Sequence, residues 1–344
     1  MTQQWIYWFD ELNQGDNDLV GKKCANLGEM TKLGMRVPPG YAISVDGFQR
    51  YMEVTGLGKR LERYFADLGP DLKTSVQKQM DASQAAKEMF AHTPMPDEVG
   101  GPIESNYATL CERTGIADVP VAVRSSGSVS MPGQMETYLY VRGAHDVKHR
   151  VREVWESTFN TRAIAFRLEK GLAVAKAPIG VAVLKMVDAK SAGVVLTVDP
   201  NSADLDHVVV EGNWGLGESV VSGEITPDHF LVAKADLGIV DRVVSRKTRQ
   251  VIPTEHGTHK AEVPAELQDL PCLDDAEIGE IVRVALGVEK HFGAPQDMEW
   301  VIDRDANVPE SVIWVQARPA KFVAKDKAAE ADYLVDQMTR LFRH

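Results

Sequence analysis

The chain has 344 residues, 44% hydrophobic and 26% charged, with a formal net charge of −12. That balance supports a sizeable core with room for two or three subdomains, and its acidity argues against general nucleic-acid or anionic-membrane binding. Cys24, Cys111 and Cys272 are too few and too widely spaced for a disulfide framework or a Cys-x-x-Cys metal pair, which suits a reducing cytoplasm, and neither a signal peptide nor a membrane-spanning apolar run is expected.

Trp5 to Phe9 is a short apolar run of strand type. Gly21-Lys22-Lys23-Cys24-Ala25-Asn26-Leu27-Gly28-Glu29-Met30 reads as a glycine turn opening a helix that Gly34 ends. Val37-Pro38-Pro39-Gly40 is a turn, and Val45 to Leu68 is mostly helical. Helical pattern continues from Asp71 to Thr114, broken around Pro94-Met95-Pro96. Val119 to Arg124 reads as a buried strand running into a small-residue loop, Ser125 to Gln134. Val147 to Leu172 is expected as one long helix.

The texture changes at Lys176-Ala177-Pro178, which sets the expected subdomain boundary: an N-terminal lobe over 1–177, a C-terminal lobe over 178–323 and a helical tail over 324–344. Strand-like segments follow at Ile179–Val187, Ala192–Val198, His207–Glu211, His229–Ala233 and Ile239–Val244. The polar stretch Pro253 to Pro271 reads as loop. Asp274 and Glu277 form a capping box for a helix with an apolar stripe of Ile278, Ile281, Val282, Ala285 and Val288, stopped by Gly293. The alternation of α and β content points to a two-lobed α/β protein with a cleft.

The chemistry concentrates in a hairpin, Gln296 to Asp303 and Val312 to Pro319. Side chains alternate along a strand, so Asp297 and Glu299 share a face, as do Gln316 and Arg318. Closing the hairpin brings Glu299 to Gln316, with Trp300, Ile302, Ile313 and Val315 expected on the apolar rear and Trp314 on the Gln316 side. Two carboxylates, an amide oxygen and a guanidinium suit a hard cation with phosphate. A surface hairpin with a cross-strand ion pair is the plainer alternative. Arg124, followed by Ser125-Ser126-Gly127-Ser128, offers a charge and small residues whose backbone N–H groups can approach phosphate, or simply a tight turn. Lys23 could reach a phosphate from a helix start or be a solvated lysine. Glu211-Gly212-Asn213-Trp214-Gly215-Leu216-Gly217-Glu218 is glycine-rich but lacks the spacing of a dinucleotide fingerprint. The Walker A pattern, the protein-kinase HRD and DFG sets, HExxH, GxSxG and Cys/His zinc spacings are absent from the sequence, and the nine histidines are scattered.

In this order the segments resemble the nucleotide-binding portion of the phosphoenolpyruvate synthase and pyruvate phosphate dikinase family, from about Leu12 to Pro319. The resemblance rests on Gly21–Met30, Val121–Thr137, Ser157–Arg167, Gly193–Pro200, Glu211–Asp228 and His291–Pro319. It implies an ATP-grasp fold with the nucleotide cleft between two lobes, and ATP with Mg²⁺ as cofactors. It places Lys23 and Arg124 on the ATP phosphates, Glu299 and Gln316 on the metal, and Asp297 and Arg318 beside them as catalytic residues. It further implies Gly133 in the phosphate loop, Lys185-Met186-Val187 reading adenine, and Glu211 as a carboxylate near the nucleotide. Lys22 stands where the family usually has a second glycine, and Lys185 where glutamine is common.

Full-length members continue into a phosphohistidine domain and a pyruvate-binding barrel, and nothing in this chain looks like either. A chain of this size is similar to the nucleotide-binding subunit of phenylphosphate synthase. The expectation is therefore an ATP-to-AMP phosphotransferase that phosphorylates a histidine on a separate partner subunit for transfer to phenol. The alternatives are pyruvate or another hydroxyl acceptor, as in phosphoenolpyruvate synthase, and a non-catalytic nucleotide-sensing module. Ala328 to Phe342 has helical spacing and is expected to fold on its own body or to dock the partner.

Overall fold

The computed structural model describes residues 4–128, 135–255 and 257–322. Expectations for Gly133 and for the 324–344 tail fall outside these residues. The chain divides into two compact units. The first holds the residues up to Leu33, Pro38–Met186 and, at the tip of a later hairpin, Glu255 and Gly257; the second holds Gly34–Val37, Val187–Thr254 and the residues from Thr258 onward. The architecture is mixed α and β, and the paired strands of both main sheets run antiparallel.

In chain order the first unit has β1 (Ile6–Trp8), α1 (Asn17–Lys32), β2 (Gly40–Ile43), α2 (Val45–Val54), α3 (Leu57–Asp67), α4 (Val76–Ala91), α5 (Asp97–Thr114), β3 (Val121–Ser126), β4 (Thr137–Val141), α6 (Ala144–Ser157), α7 (Thr161–Glu169) and β5 (Gly180–Lys185). Its sheet has the order β1-β2-β5-β3-β4. One face carries Ile6, Tyr41, Ile43, Val123, Val181 and Val183 into a core with Phe48, Tyr51, Phe90, Trp155 and Phe159. The Tyr51 and Trp155 rings stack at 5.3 Å.

The other face is rich in small residues. Register places Ala42, Ala182 and Arg124 in one cross-strand row, and Gly40, Leu184 and Ala122 in the next. Helix α1 lies against β5, β3 and β2, so close that a Cβ on Gly180 would come within 2.4 Å of the Val20 carbonyl. Small side chains on this face are what permit that approach.

The helix expected over Val147–Leu172 is two helices. Between α6 and α7, Ser157 and Thr158 turn their hydroxyls back onto the Val154 and Trp155 carbonyls, each at 2.7 Å. Asn160 is non-helical, and the Arg167 guanidinium donates to the Thr158 carbonyl at 2.5 Å. Side-chain bonding to the backbone competes with helix propagation there.

The second unit has β6 (Ala189–Leu196), β7 (His207–Trp214), α8 (Glu218–Val221), β8 (Asp228–Ala233), β9 (Ile239–Val243), β10 (Arg249–Thr254), β11 (Gly257–Glu262), α9 (Asp275–Phe292), β12 (Gln296–Asp303) and β13 (Val312–Pro319). Six strands form a sheet of order β13-β12-β6-β7-β8-β9, and β10 pairs with β11. That hairpin replaces part of the loop expected over Pro253–Pro271. Most of its residues are exposed, so no buried face imposes the period-two hydrophobicity by which a strand is read.

Helix α9 packs on β12, β6, β7 and β13. The Asp274 carboxylate accepts from the Glu277 N–H at 2.8 Å and the Glu277 carboxylate accepts from the Asp274 N–H at 2.9 Å, while Gly293 closes the helix at φ 68°. Beneath it, Trp300 lies over two glycines: a Cβ on Gly193 or Gly212 would stand 2.7 or 2.8 Å from its ring. Among the described residues no helix is long and apolar enough to cross a membrane.

Candidate functional site

In the first unit α1 is broken at Gly21, and the helical segment that starts there is fastened to the end of β3. Gly21 has φ 78°, and a Cβ there would stand 2.0 Å from the Ser126 carbonyl oxygen, so both conformation and space require glycine. Immediately beyond it the Lys22 N–H donates to the Gly127 carbonyl (3.1 Å) and the Cys24 N–H to the Ser126 hydroxyl (3.1 Å). The Lys22 side chain is exposed, which explains why a residue other than glycine is accommodated.

Lys23 and Arg124 are thereby gathered around Cys24. Burial pushes the Cys24 thiol up to about 12, opposed first by the hydrogen bond with Ser126 and then by the charges of Lys23 and Arg124. Two cations beside a helix start and a Ser-Ser-Gly backbone can attract and orient phosphate oxygens. Lys185 and Met186, at the end of β5, have amides that donate to the Pro39 (2.9 Å) and Pro120 (2.8 Å) carbonyls. Those two donors are already committed, and Val187 falls in the second unit.

In the second unit the hairpin has the expected register at its functional end: Asp297 opposite Arg318 and Glu299 opposite Gln316. The Gln316 Nε2 donates to Glu299 Oε1 at 2.8 Å. The Arg318 Nε and Nη2 both reach Asp297 Oδ2, at 2.9 and 2.8 Å. Charge-assisted contacts of this kind fix the direction of the guanidinium plane.

The rear face needs correction. A bulge falls after the Glu299–Gln316 pair, and Trp300 faces Trp314 with Val315 as the extra residue. Trp314 is therefore buried beside Trp300 rather than lying on the Gln316 side, and Ile313 and Val315 are only half-buried. The buried face consists of Met298, Trp300, Ile302, Val312, Trp314 and Ala317.

Directly opposed strand residues share a face, so the pairings define a row across the sheet: Gln316, Glu299, Val194, Glu211 and His229, on β13, β12, β6, β7 and β8. Glu211 is thus on the same face as the hairpin set, and its Oε1 meets His229 Nδ1 at 3.1 Å. His229 was not legible as part of this row, because the β7–β8 register depends on a long intervening segment that includes α8.

The Glu299 and Gln316 pair contributes carboxylate and amide oxygens, the hard donors Mg²⁺ takes. Among the described residues no three His, Cys, Asp or Glu side chains gather in metal-holding geometry. Magnesium does not need such a cluster, since one or two carboxylates with phosphate and water complete its shell. The residues fit the group.

The chain belongs to the family of the pyruvate phosphate dikinase AMP/ATP-binding domain, which matches residues 17–338. Its nucleotide is accordingly ATP, usually accompanied by Mg²⁺. Among its relatives, a probable phosphoenolpyruvate synthase of Methanocaldococcus jannaschii is 35% identical over 333 residues, covering 95% of this chain and 27% of the relative. The phosphoenolpyruvate synthase of Aeropyrum pernix is 33% identical, covering 95% of this chain and 43% of its own. A probable phosphoenolpyruvate synthase of Methanothermobacter thermautotrophicus is 36% identical, covering 92% and 46%. The chain thus spans less than half the length of each of these relatives.

Proposed function

We propose that this chain is the Mg-ATP-binding part of a dikinase-type phosphotransferase of phosphoenolpyruvate synthase type. It converts ATP to AMP and phosphate and passes one phosphoryl group to a histidine on a partner subunit, with pyruvate as final acceptor. The observation that carries the reading is the paired Glu299–Gln316 and Asp297–Arg318 hairpin within a chain of the AMP/ATP-binding family. The names of the relatives support pyruvate over the phenol acceptor expected from chain size.

Phosphoryl transfer needs positioning and charge neutralisation more than covalent help from the protein. Lys23 and Arg124 take phosphate oxygens. Glu299 and Gln316 supply oxygen ligands to the metal, which when bound neutralises charge on the phosphates. Asp297 holds Arg318 by two N–H groups, so that its guanidinium meets an anionic oxygen with little reorganisation.

The test is nucleotide product analysis with a phosphohistidine-bearing partner and, separately, pyruvate, phenol or water as acceptor. AMP formation dependent on the partner and on pyruvate is expected. AMP formation dependent on phenol would replace the acceptor, and ADP as product, or no turnover under any condition, would overturn the reading.

A further inference from the structure

The cross-strand row contains one ionisable side chain to which no role has been attached. His229 stands opposite Glu211 on the face that also carries Glu299 and Gln316. Both members of the pair are about one-third exposed, so the pair is neither a buried core contact nor fully solvated. A carboxylate only accepts hydrogen bonds, so the hydrogen between the two groups sits on His229 Nδ1. One oxygen of Glu211, Oε1, is held by the ring; the carboxylate keeps Oε2 as a second acceptor.

Position suggests what that acceptor meets. Glu211 is two strands from Glu299, with Val194 between them. At the usual strand spacing of roughly 4.8 Å the two carboxylates stand about 10 Å apart on one face. That separation is of the size between the terminal phosphates of a nucleotide and its sugar. A carboxylate repels phosphate but accepts from sugar hydroxyls, and a side-chain acid on the ribose hydroxyls is a recurring device of nucleotide recognition.

Resting on the Mg-ATP reading above, we propose that Glu211 accepts a hydrogen bond from the ribose and that His229 is a positioning residue that orients it. The ring holds one carboxylate oxygen so that the other presents a fixed acceptor. Loss of the ring frees the Glu211 side chain to rotate, and the sugar-dependent part of binding is lost while the phosphate-dependent part stays.

The test uses the full chain with Mg²⁺ and measures dissociation constants for ATP, 2′-deoxy-ATP and 3′-deoxy-ATP by titration calorimetry. The wild type is expected to bind at least one deoxy nucleotide about ten-fold more weakly than ATP. His229→Leu is expected to shrink that ratio to within about two-fold, and Glu211→Gln to reduce it. His229→Asn, whose amide can stand in for Nδ1, is expected to retain most of it. A general loss of fold would weaken all three nucleotides alike and leave the ratio untouched. If His229→Leu does not fold, Glu211→Gln and His229→Asn decide: an undiminished ratio in the former or a lost ratio in the latter overturns the proposal. An unchanged ratio in a folded His229→Leu overturns it alone, with ATP binding intact. A wild type that binds no Mg-ATP overturns the function and this inference together.

Discussion

Val315 is the residue at which the two ends of the hairpin part. Up to Gln316 the strands pair in step, so alternation read from the sequence puts Glu299 beside Gln316 and Asp297 beside Arg318. The one-residue bulge then exchanges the faces of Trp314 and Ile313, and a bulge leaves no mark in hydrophobic alternation when every residue in the run is apolar. Cys24 shows the reverse case, a residue unremarkable in sequence whose surroundings decide its chemistry. Its thiol is fully buried and pushed up to about 12 from an ordinary 9.0. In the unfolded chain the same thiol ionises near its ordinary value, so above pH 9 the unfolded state sheds a proton that the folded state keeps. Its contribution is therefore full below pH 9 and falls as pH rises toward 12, by up to about 1.4 kcal/mol per pH unit. The urea midpoint should decline between pH 9 and 10.5 and decline less steeply in Cys24→Ala. Equal slopes in the two proteins would show that Cys24 is not a source of the alkaline loss. Cys272, also raised by burial, supplies part of the slope that remains.

At the scale of elements, the sequence is most readable where local and tertiary signals agree. Helix α9 carries its capping box, its apolar stripe and its terminal glycine in sequence, and Lys190–Glu277 and Lys234–Glu289 ion pairs at 2.5 and 2.8 Å then fix it from β6 and from the residue just after β8. The β10–β11 hairpin is least readable, since it has little to bury. Between these lies a contact that no local pattern announces. Lys247, after β9, is buried with Asp228 at the start of β8, Nζ to Oδ1 at 2.7 Å. The Asp228 oxygens also accept from the Ser245 N–H (2.9 Å) and the Cys272 N–H (2.8 Å), and Lys247 donates to the Ser245 carbonyl (2.8 Å). One carboxylate thus ties three segments of the second unit together. Removing only the cation strands a buried charge, which typically costs about 3–5 kcal/mol. Lys247→Met should lower the urea midpoint accordingly, and adding Asp228→Asn should recover part of the loss. A double variant less stable than Lys247→Met would show that the backbone hydrogen bonds of Asp228, and not its charge pair, dominate.

For the molecule as a whole, the proposed phosphate residues Lys23 and Arg124 belong to the first unit, and Glu211, Glu299, Gln316 and Arg318, proposed for the sugar, the metal and an anionic oxygen, belong to the second. Lys23, Arg124 and the hairpin residues were legible as candidates because each follows a local rule, a glycine turn before a helix, a strand running into small residues or an alternating strand pair, whereas Glu211 came only through the family resemblance. The packing that holds them was not legible, since the Gly21–Ser126 approach joins residues more than a hundred positions apart in sequence. A ligand that binds the folded chain stabilises it by mass action, about 2.7 kcal/mol at a hundred times the dissociation constant. Mg-ATP at that excess should therefore raise the unfolding temperature by several degrees, given roughly 2–4 °C per kcal/mol for units of this size. Omitting Mg²⁺ should shrink the shift, because the phosphates then face Glu299 without a cation. Arg124→Ala and Glu299→Ala should each diminish it and, if each removes one preorganised contact, lower the AMP-forming rate by about 10²–10³. Both variants should unfold near the wild-type temperature without ligand, since Arg124 and Glu299 are only partly buried. A full Mg-ATP shift in either variant would remove that residue from the nucleotide site, whatever its effect on rate.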